Sequence, residues 1–223
     1  MTVLARPAVE TLAILRQVGV IPVVRSDSAE VAIRVTEVLI EAGLPIAEIT
    51  LTVPNAIDVI AKLAQRTGAE RILIGAGTVI DADGARRAIL AGAEFIVSPG
   101  VVPDVIEAAK AAGVPVISGA LTPTEILAAT RAGADLIKVF PVKSLGGASY
   151  IRALRGPFPD LPLIPTGGVD LNNVADFIRA GATAVGVGSE LVPREVLASG
   201  NYQSIAARAE RFVTAVAHAR RTV

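Results

Sequence analysis

"RAGADLIKVFPV", residues 131–142, holds both halves of the pattern that decides the fold. An alanine-rich helical stretch stops at Gly133, and two residues later the short apolar run "DLIKVF" at 135–140 reads as a strand. Glycine just past the last helical residue is the expected C-terminal cap, because it takes up left-handed backbone at no steric cost. The same stop recurs at Gly43, Gly68, Gly92, Gly113 and Gly181, with spacings of 25, 24, 21, 20 and 48 residues when Gly133 is included. The last spacing is two units of 24.

Strand-like runs fall at the same rhythm: 20–25, 46–52, 72–78, 95–98, 115–118, 135–140, 162–166 and 184–188. Each is short, rich in β-branched residues and almost continuously apolar, as parallel strands buried on both faces should be. Segments such as "SAEVAIRVTEVLIEAG" between them carry helical spacing. One βα unit per 20–25 residues, repeated about eight times, predicts an α/β fold of the (β/α)8 TIM-barrel type. A short helix at about 8–18 precedes it, and residues 1–223 read as a single barrel domain. A doubly wound open sheet is the alternative. "GAGTV" at 75–79 ends a strand rather than opening a dinucleotide-binding turn, so it lends that alternative little support.

Composition excludes several function classes. Lys+Arg and Asp+Glu each number 21, which argues against nucleic-acid or anionic-membrane partners. There is no cysteine, and the single histidine, His218, falls in a C-terminal helical pattern, so a zinc enzyme is not expected and no cofactor is indicated. The longest uncharged run, between Lys110 and Glu125, has 14 residues and contains Pro and Gly, too short for a membrane span. A soluble, cytoplasmic protein is the expectation.

The chain has 17 arginines but four lysines, and one of the four, Lys138, sits mid-strand. Side chains alternate across a strand. In "DLIKVF" the β-branched Ile137 and Val139 suit the surrounding helices, which turns Lys138 inward. In "IAEITLT" the inward set is Glu48, Thr50 and Thr52. Two charges therefore point into one barrel. Two readings fit: an internal ion pair of structural value only, or a reacting pair. Buried ion pairs contribute little net stability, since desolvation offsets their attraction. A reacting pair has a specific use for these residue types. An amine attacks a ketone only as its free base, which burial favours in lysine and arginine cannot supply. The resulting iminium is an electron sink for carbon–carbon cleavage, and a carboxylate is the proton carrier that cleavage needs.

Two glycine-rich loops follow the seventh and eighth strands, "PTGGV" at 165–169 and "GVGSE" at 186–190. Barrels commonly hold phosphate there, on backbone N–H groups and a helix N-terminus. Ser189 adds a hydroxyl. Simple tight turns are the bland alternative for either loop alone.

With these residues in view the chain resembles the class I 2-keto-3-deoxy-6-phosphogluconate (KDPG) aldolases, also called 2-keto-4-hydroxyglutarate (KHG) aldolases. The resemblance is carried by "EITLTVPNA" (48–56), "IGAGTV" (74–79), "EFIVSPG" (94–100), "GALTPTE" (119–125), "IKVFP" (137–141), "PTGGV" and "GVGSELV" (186–192), in order along nearly the whole chain. It implies a metal-independent lyase acting on a small keto acid and assembled as a homotrimer. It also implies Lys138 as Schiff-base lysine, Glu48 as general acid/base, and Thr78, Pro99 and Thr166 around the pyruvyl moiety. Gly167, Gly168, Gly188 and Ser189 would hold phosphate.

Three departures stand out. One branch of the family carries Arg at the position of Thr52 to grip the substrate carboxylate; here Arg25, inward by parity at the end of the first strand, is the candidate replacement. Ser118 stands where Pro is usual, and Lys143 stands where a small or acidic residue is more frequent. Lys143 reads as a solvated loop cation, a contributor to anion binding, or a competing amine. A rival from another class is a catalytically altered barrel serving as a trimeric building block for assembly. A phosphosugar isomerase using Glu48 as base leaves the buried lysine unexplained.

Overall fold

The structure is a computed structural model that describes residues 6–66 and 71–222. Eight parallel strands run β1 (Val20–Val24), β2 (Ile46–Thr50), β3 (Leu73–Gly77), β4 (Phe95–Val97), β5 (Val116–Ala120), β6 (Leu136–Val139), β7 (Leu163–Pro165) and β8 (Val185–Val187). Seven lie inside their predicted runs, and β5 runs two residues past the predicted 115–118. Neighbours pair in chain order from β1 to β7, and β8 returns to pair with β1. The seam between β7 and β8 is closed by the Thr166–Gly186 bridge and by Thr183 N–H donating to Leu163 C=O at 2.9 Å. The result is a nearly closed (β/α)8 barrel.

Around it lie α2 (Ala29–Glu41), α3 (Ala56–Ala64), α4 (Ala82–Leu90), α5 (Pro103–Ala111), α6 (Pro123–Arg131), α7 (Ala148–Arg155) and α8 (Val174–Arg179), each in its βα unit. After β8 come α9 (Arg194–Ser199) and the long α10 (Gln203–Arg220). Local chemistry starts the helices. Ser28 and Asp81 accept backbone N–H groups at the heads of α2 and α4, and Thr122 with Glu125 forms a reciprocal capping box on α6. The predicted stops at Gly43, Gly92, Gly113, Gly133 and Gly181 all have positive φ, between 69° and 102°. Gly68 lies outside the described residues.

Apolar side chains divide into two layers. The larger one fills the space between strands and helices, for example Val24, Val35, Ile49, Ile74, Ile137, Val139 and Val185. The smaller one lies inside the barrel: Ile21, Ile46, Leu73, Phe95, Val97, Ile117, Leu136, Ile164 and Ala184. The N-terminal helix α1 (Ala8–Val18) contributes Leu15 to this inner cluster, fully buried, with Leu12, Ile14 and Val18 packed beside it. It closes the N-terminal mouth, which would otherwise present an apolar layer to water. Two arginines pin it. Arg6 binds Glu94 at the foot of β4 at 2.5 Å, and Arg220 of α10 donates to the carbonyls of Arg16, Gln17 and Thr183. Burial pulls the Arg220 guanidinium below its ordinary pKa.

Candidate active site

The site grows out of one alternation. On β2 the inward side chains are Ile46 and then Glu48; on β6 they are Leu136 and then Lys138. The first of each pair joins the apolar plug, and the second stands one layer nearer the C-terminal mouth. Parity thus brings together the two charges that the sequence points inward. Lys138 Nζ and Glu48 Oε1 lie 3.6 Å apart, on residues 8 % and 2 % exposed.

That separation bears on the two readings. It exceeds hydrogen-bond distance, and Glu48 Oε1 is buried with no hydrogen-bond partner. A carboxylate oxygen buried without a hydrogen bond is costly, so an ion pair kept for structure would close to direct contact. Here the two groups stand close without a direct hydrogen bond. Lys138 Nζ also lies 5.4 Å from the centroid of the Phe140 ring, within cation–π range on the side toward the mouth.

Glycines make room for the pair. A methyl group on Gly77 would overlap the Glu48 carboxylate, and one on Gly119, which pairs with Lys138 across β5 and β6, would strike the Pro99 backbone. Gly75 gives its space to the Phe95 ring and Gly186 gives its to the Thr166 side chain. Sequence reasoning missed this role. The signal was present in "GAG" at 75–77 and "GVG" at 186–188, where glycines recur at the strand period on inward positions.

The remaining candidates stand at strand ends, just past the ladder. Arg25 is exposed at the end of β1 and reaches across to Thr78, Nη2 to Oγ1 at 3.5 Å. Thr78 holds a φ of 57°, unusual for a β-branched residue, and is half-buried. Thr52 is exposed and shares a 2.8 Å hydrogen bond with the buried Thr50 hydroxyl. Pro99 is half-buried above β4, and Thr166 is buried above β7. Ser118 has the opposite parity to Gly119, so it is buried in the layer between sheet and helices and takes no part in the chamber.

The two loops of the expected anion site differ from expectation in one respect. Neither is followed at once by a helix: α8 begins at Val174 and α9 at Arg194. The donors on offer are backbone amides and Ser189. Gly167 and Gly168 both have positive φ, 86° and 87°, and Asn173 Nδ2 donates to the Gly168 carbonyl at 2.9 Å. Among the described residues the amides of Gly168 and Ser189 find no hydrogen-bond acceptor. Gly188 C=O accepts from the amides of Leu191 and Val192, closing the second loop, and Ser189 is exposed.

Among the described residues no group of three His, Cys, Asp or Glu side chains is placed to hold a metal ion, and no helix is long and apolar enough to cross a membrane. His218 is exposed on α10, far along the chain from every residue above.

Residues 11–208 match the model of the KDPG and KHG aldolase family. The chain belongs to that family. With it the chain joins the aldolases, which are carbon–carbon lyases. It is 35 % identical over 202 residues to the 2-dehydro-3-deoxy-phosphogluconate aldolase of Treponema pallidum, covering 91 % of this chain and 95 % of that one. A solved KDPG aldolase from Legionella pneumophila, with pyruvate captured as a covalent carbinolamine, superposes with a TM-score of 0.82 at 30 % identity over 90 % of this chain and 96 % of that one. A designed cube-shaped cage built by fusing symmetric oligomeric domains gives 0.82 at 30 % identity over 92 % of this chain and 74 % of that one.

Proposed function

We propose that this aldolase works through a Schiff base on Lys138, cleaving KDPG to pyruvate and glyceraldehyde 3-phosphate, or 4-hydroxy-2-oxoglutarate to pyruvate and glyoxylate. The observation that carries the reading is the buried pair of Lys138 Nζ and Glu48 Oε1, 3.6 Å apart, in which Glu48 Oε1 has no hydrogen-bond partner.

The cycle balances with these two groups and water. The free amine of Lys138 adds to the C2 ketone, and loss of water leaves an iminium. Glu48 takes the proton of the C4 hydroxyl. The C3–C4 bond breaks, its electron pair moves into the iminium to give an enamine, and the aldehyde fragment leaves. Glu48 returns its proton to C3, and water hydrolyses the iminium to pyruvate and free Lys138.

Other roles follow from position. Arg25 and Thr78, joined to each other at the rim, would hold the substrate carboxylate, a task Thr52 cannot perform by charge. Thr52, Pro99 and Thr166 would line the pyruvyl end. Gly167, Gly168, Gly188 and Ser189 would take the phosphate. A homotrimer in the cytoplasm is the proposed working form; the likeness to a cage made from symmetric oligomeric domains supports self-assembly. A purely structural role leaves the buried, inward-facing pair of charges without a use.

Borohydride reduction in the presence of pyruvate, followed by peptide mass spectrometry, tests the mechanism. The expected product is a reduced pyruvyl adduct on Lys138. An unmodified protein, or an adduct confined to Lys143, overturns it.

A further inference from the structure

Lys143 is the one lysine near the chamber for which the cleavage cycle has no use. It sits in the 3-10 turn Val142–Leu145 that follows β6, and its side chain is exposed. The turn is laced to the loop after β7 by consecutive backbone bonds. Val142 N–H donates to Thr166 C=O at 2.9 Å, and Lys143 N–H donates to Gly167 C=O at 3.1 Å. Gly147 N–H donates back to Val142 C=O at 3.1 Å, which closes the turn. The position of the Lys143 backbone relative to the Gly167–Gly168 loop is therefore set by hydrogen bonds.

The side chain follows the same path. A methyl group on Gly168 would overlap the Cβ and Cδ atoms of Lys143. The lysine stem thus lies across the face of Gly168, and a side chain at that position would displace it. Lys143 also differs from two other lysines in its pairing. Lys110 binds Asp135 at 2.8 Å and Lys138 faces Glu48, whereas among the described residues no carboxylate lies within ion-pair distance of Lys143. The remaining donors of this region, the Gly168 amide and the amide and hydroxyl of Ser189, are neutral, and Ser189 is followed by the exposed Glu190. A dianion there meets one acidic neighbour, which the charge of Lys143 would offset.

We infer that Lys143 is a specificity-determining residue, whose ammonium completes the anion cradle of the Gly167–Gly168 loop and favours substrates with a distal phosphate. This rests on the proposed aldolase function and names the substrate class it prefers. Lysine suits the task as a point charge on a flexible stem, able to reach a phosphate oxygen from an anchored base.

The test uses K143M, which keeps the stem and removes the charge, and K143R, which restores a cation. Inorganic phosphate is titrated calorimetrically into each. Binding to K143M is expected to be about tenfold weaker than to wild type, with K143R recovering most of the loss. In steady-state assays the KM for KDPG should rise by the same factor in K143M, with a change of about twofold or less for 4-hydroxy-2-oxoglutarate. Equal phosphate affinity in wild type and K143M, no phosphate binding by wild type, or an equal loss on both substrates would each overturn the inference. Pyruvate trapping on wild-type Lys138 is read separately; its failure would count against the Schiff-base mechanism, and phosphate titration would still report on Lys143.

Discussion

At the lower mouth of the barrel the inward positions of β2, β3, β5, β6 and β8 are Ile46, Leu73, Ile117, Leu136 and Ala184, closed over by Leu15. Two residues farther along the same strands they are Glu48, Gly75, Gly119, Lys138 and Gly186. Strand geometry, pairing and parity are shared; only the side chains change. One end is filled with aliphatic carbon and stores stability. The other carries glycines whose space is taken by neighbours such as Phe95 and Thr166, and it holds two charges, which apolar packing would displace at lower free energy. The difference teaches that the upper end is set apart by its side chains, since the backbone alone would accept a second apolar layer. Barrels in general separate stability and chemistry in this way.

Three substitutions probe this contrast, from the largest expected effect downward. E48Q keeps the shape of the upper chamber and removes its proton carrier. It should lower kcat by about a thousandfold in a coupled pyruvate-release assay, while a borohydride-reduced adduct still accumulates on Lys138 after long incubation. Retained turnover would mean that the chamber's charge is not its working part. G77A puts a methyl group into the Glu48 carboxylate. A loss of roughly a hundredfold in kcat/KM with about 1–3 kcal/mol of stability is expected, read by kinetics and urea unfolding. An active, fully stable G77A would show that the emptied space is not needed. L15A opens a cavity in the lower plug. It should cost about 2–5 kcal/mol in urea unfolding, with kcat/KM of the folded protein within about twofold of wild type. Lost activity at unchanged stability would erase the division between the two ends.

Much of this division was legible in the sequence. The helix stops, the eight apolar runs and the parity of "IAEITLT" and "DLIKVF" placed Glu48 and Lys138 inside one barrel, because period-2 alternation is a local property. What stayed hidden depends on neighbours far away in the chain. Nothing in "GAG" alone says that Gly77 faces a carboxylate 29 residues earlier or that Gly75 faces Phe95, since those contacts follow from register between strands. The rim was also hard to read. Arg25, Thr52 and Thr78 lie beyond the ladder, where alternation no longer dictates direction, and Arg25 proves to be exposed and hydrogen-bonded to Thr78. The absence of a helix directly behind the glycine loops likewise follows from how the chain leaves β7 and β8, which composition does not encode. The plug role of α1 had an apolar face to announce it, but no sign of which surface it covers.

The clamp made by Arg220 bears on how the barrel forms. Its bonds to the carbonyls of Arg16 and Gln17 span 204 and 203 residues, and β8 pairs with β1 across 165, Val20 opposite Val185. Strands β1 to β7 can assemble by adding each new unit to its predecessor, with modest loop-closure cost at every step. Sealing the ring has no such local route, because its contacts join the two ends of the chain and belong to the slow, high-separation class. A ribosome-bound chain that stops short of β8 could already carry Glu48 and Lys138 on paired strands. It would still lack the clamp and the β1–β8 seam that hold those strands at the right distance across the barrel, so catalytic competence should arrive late, with ring closure.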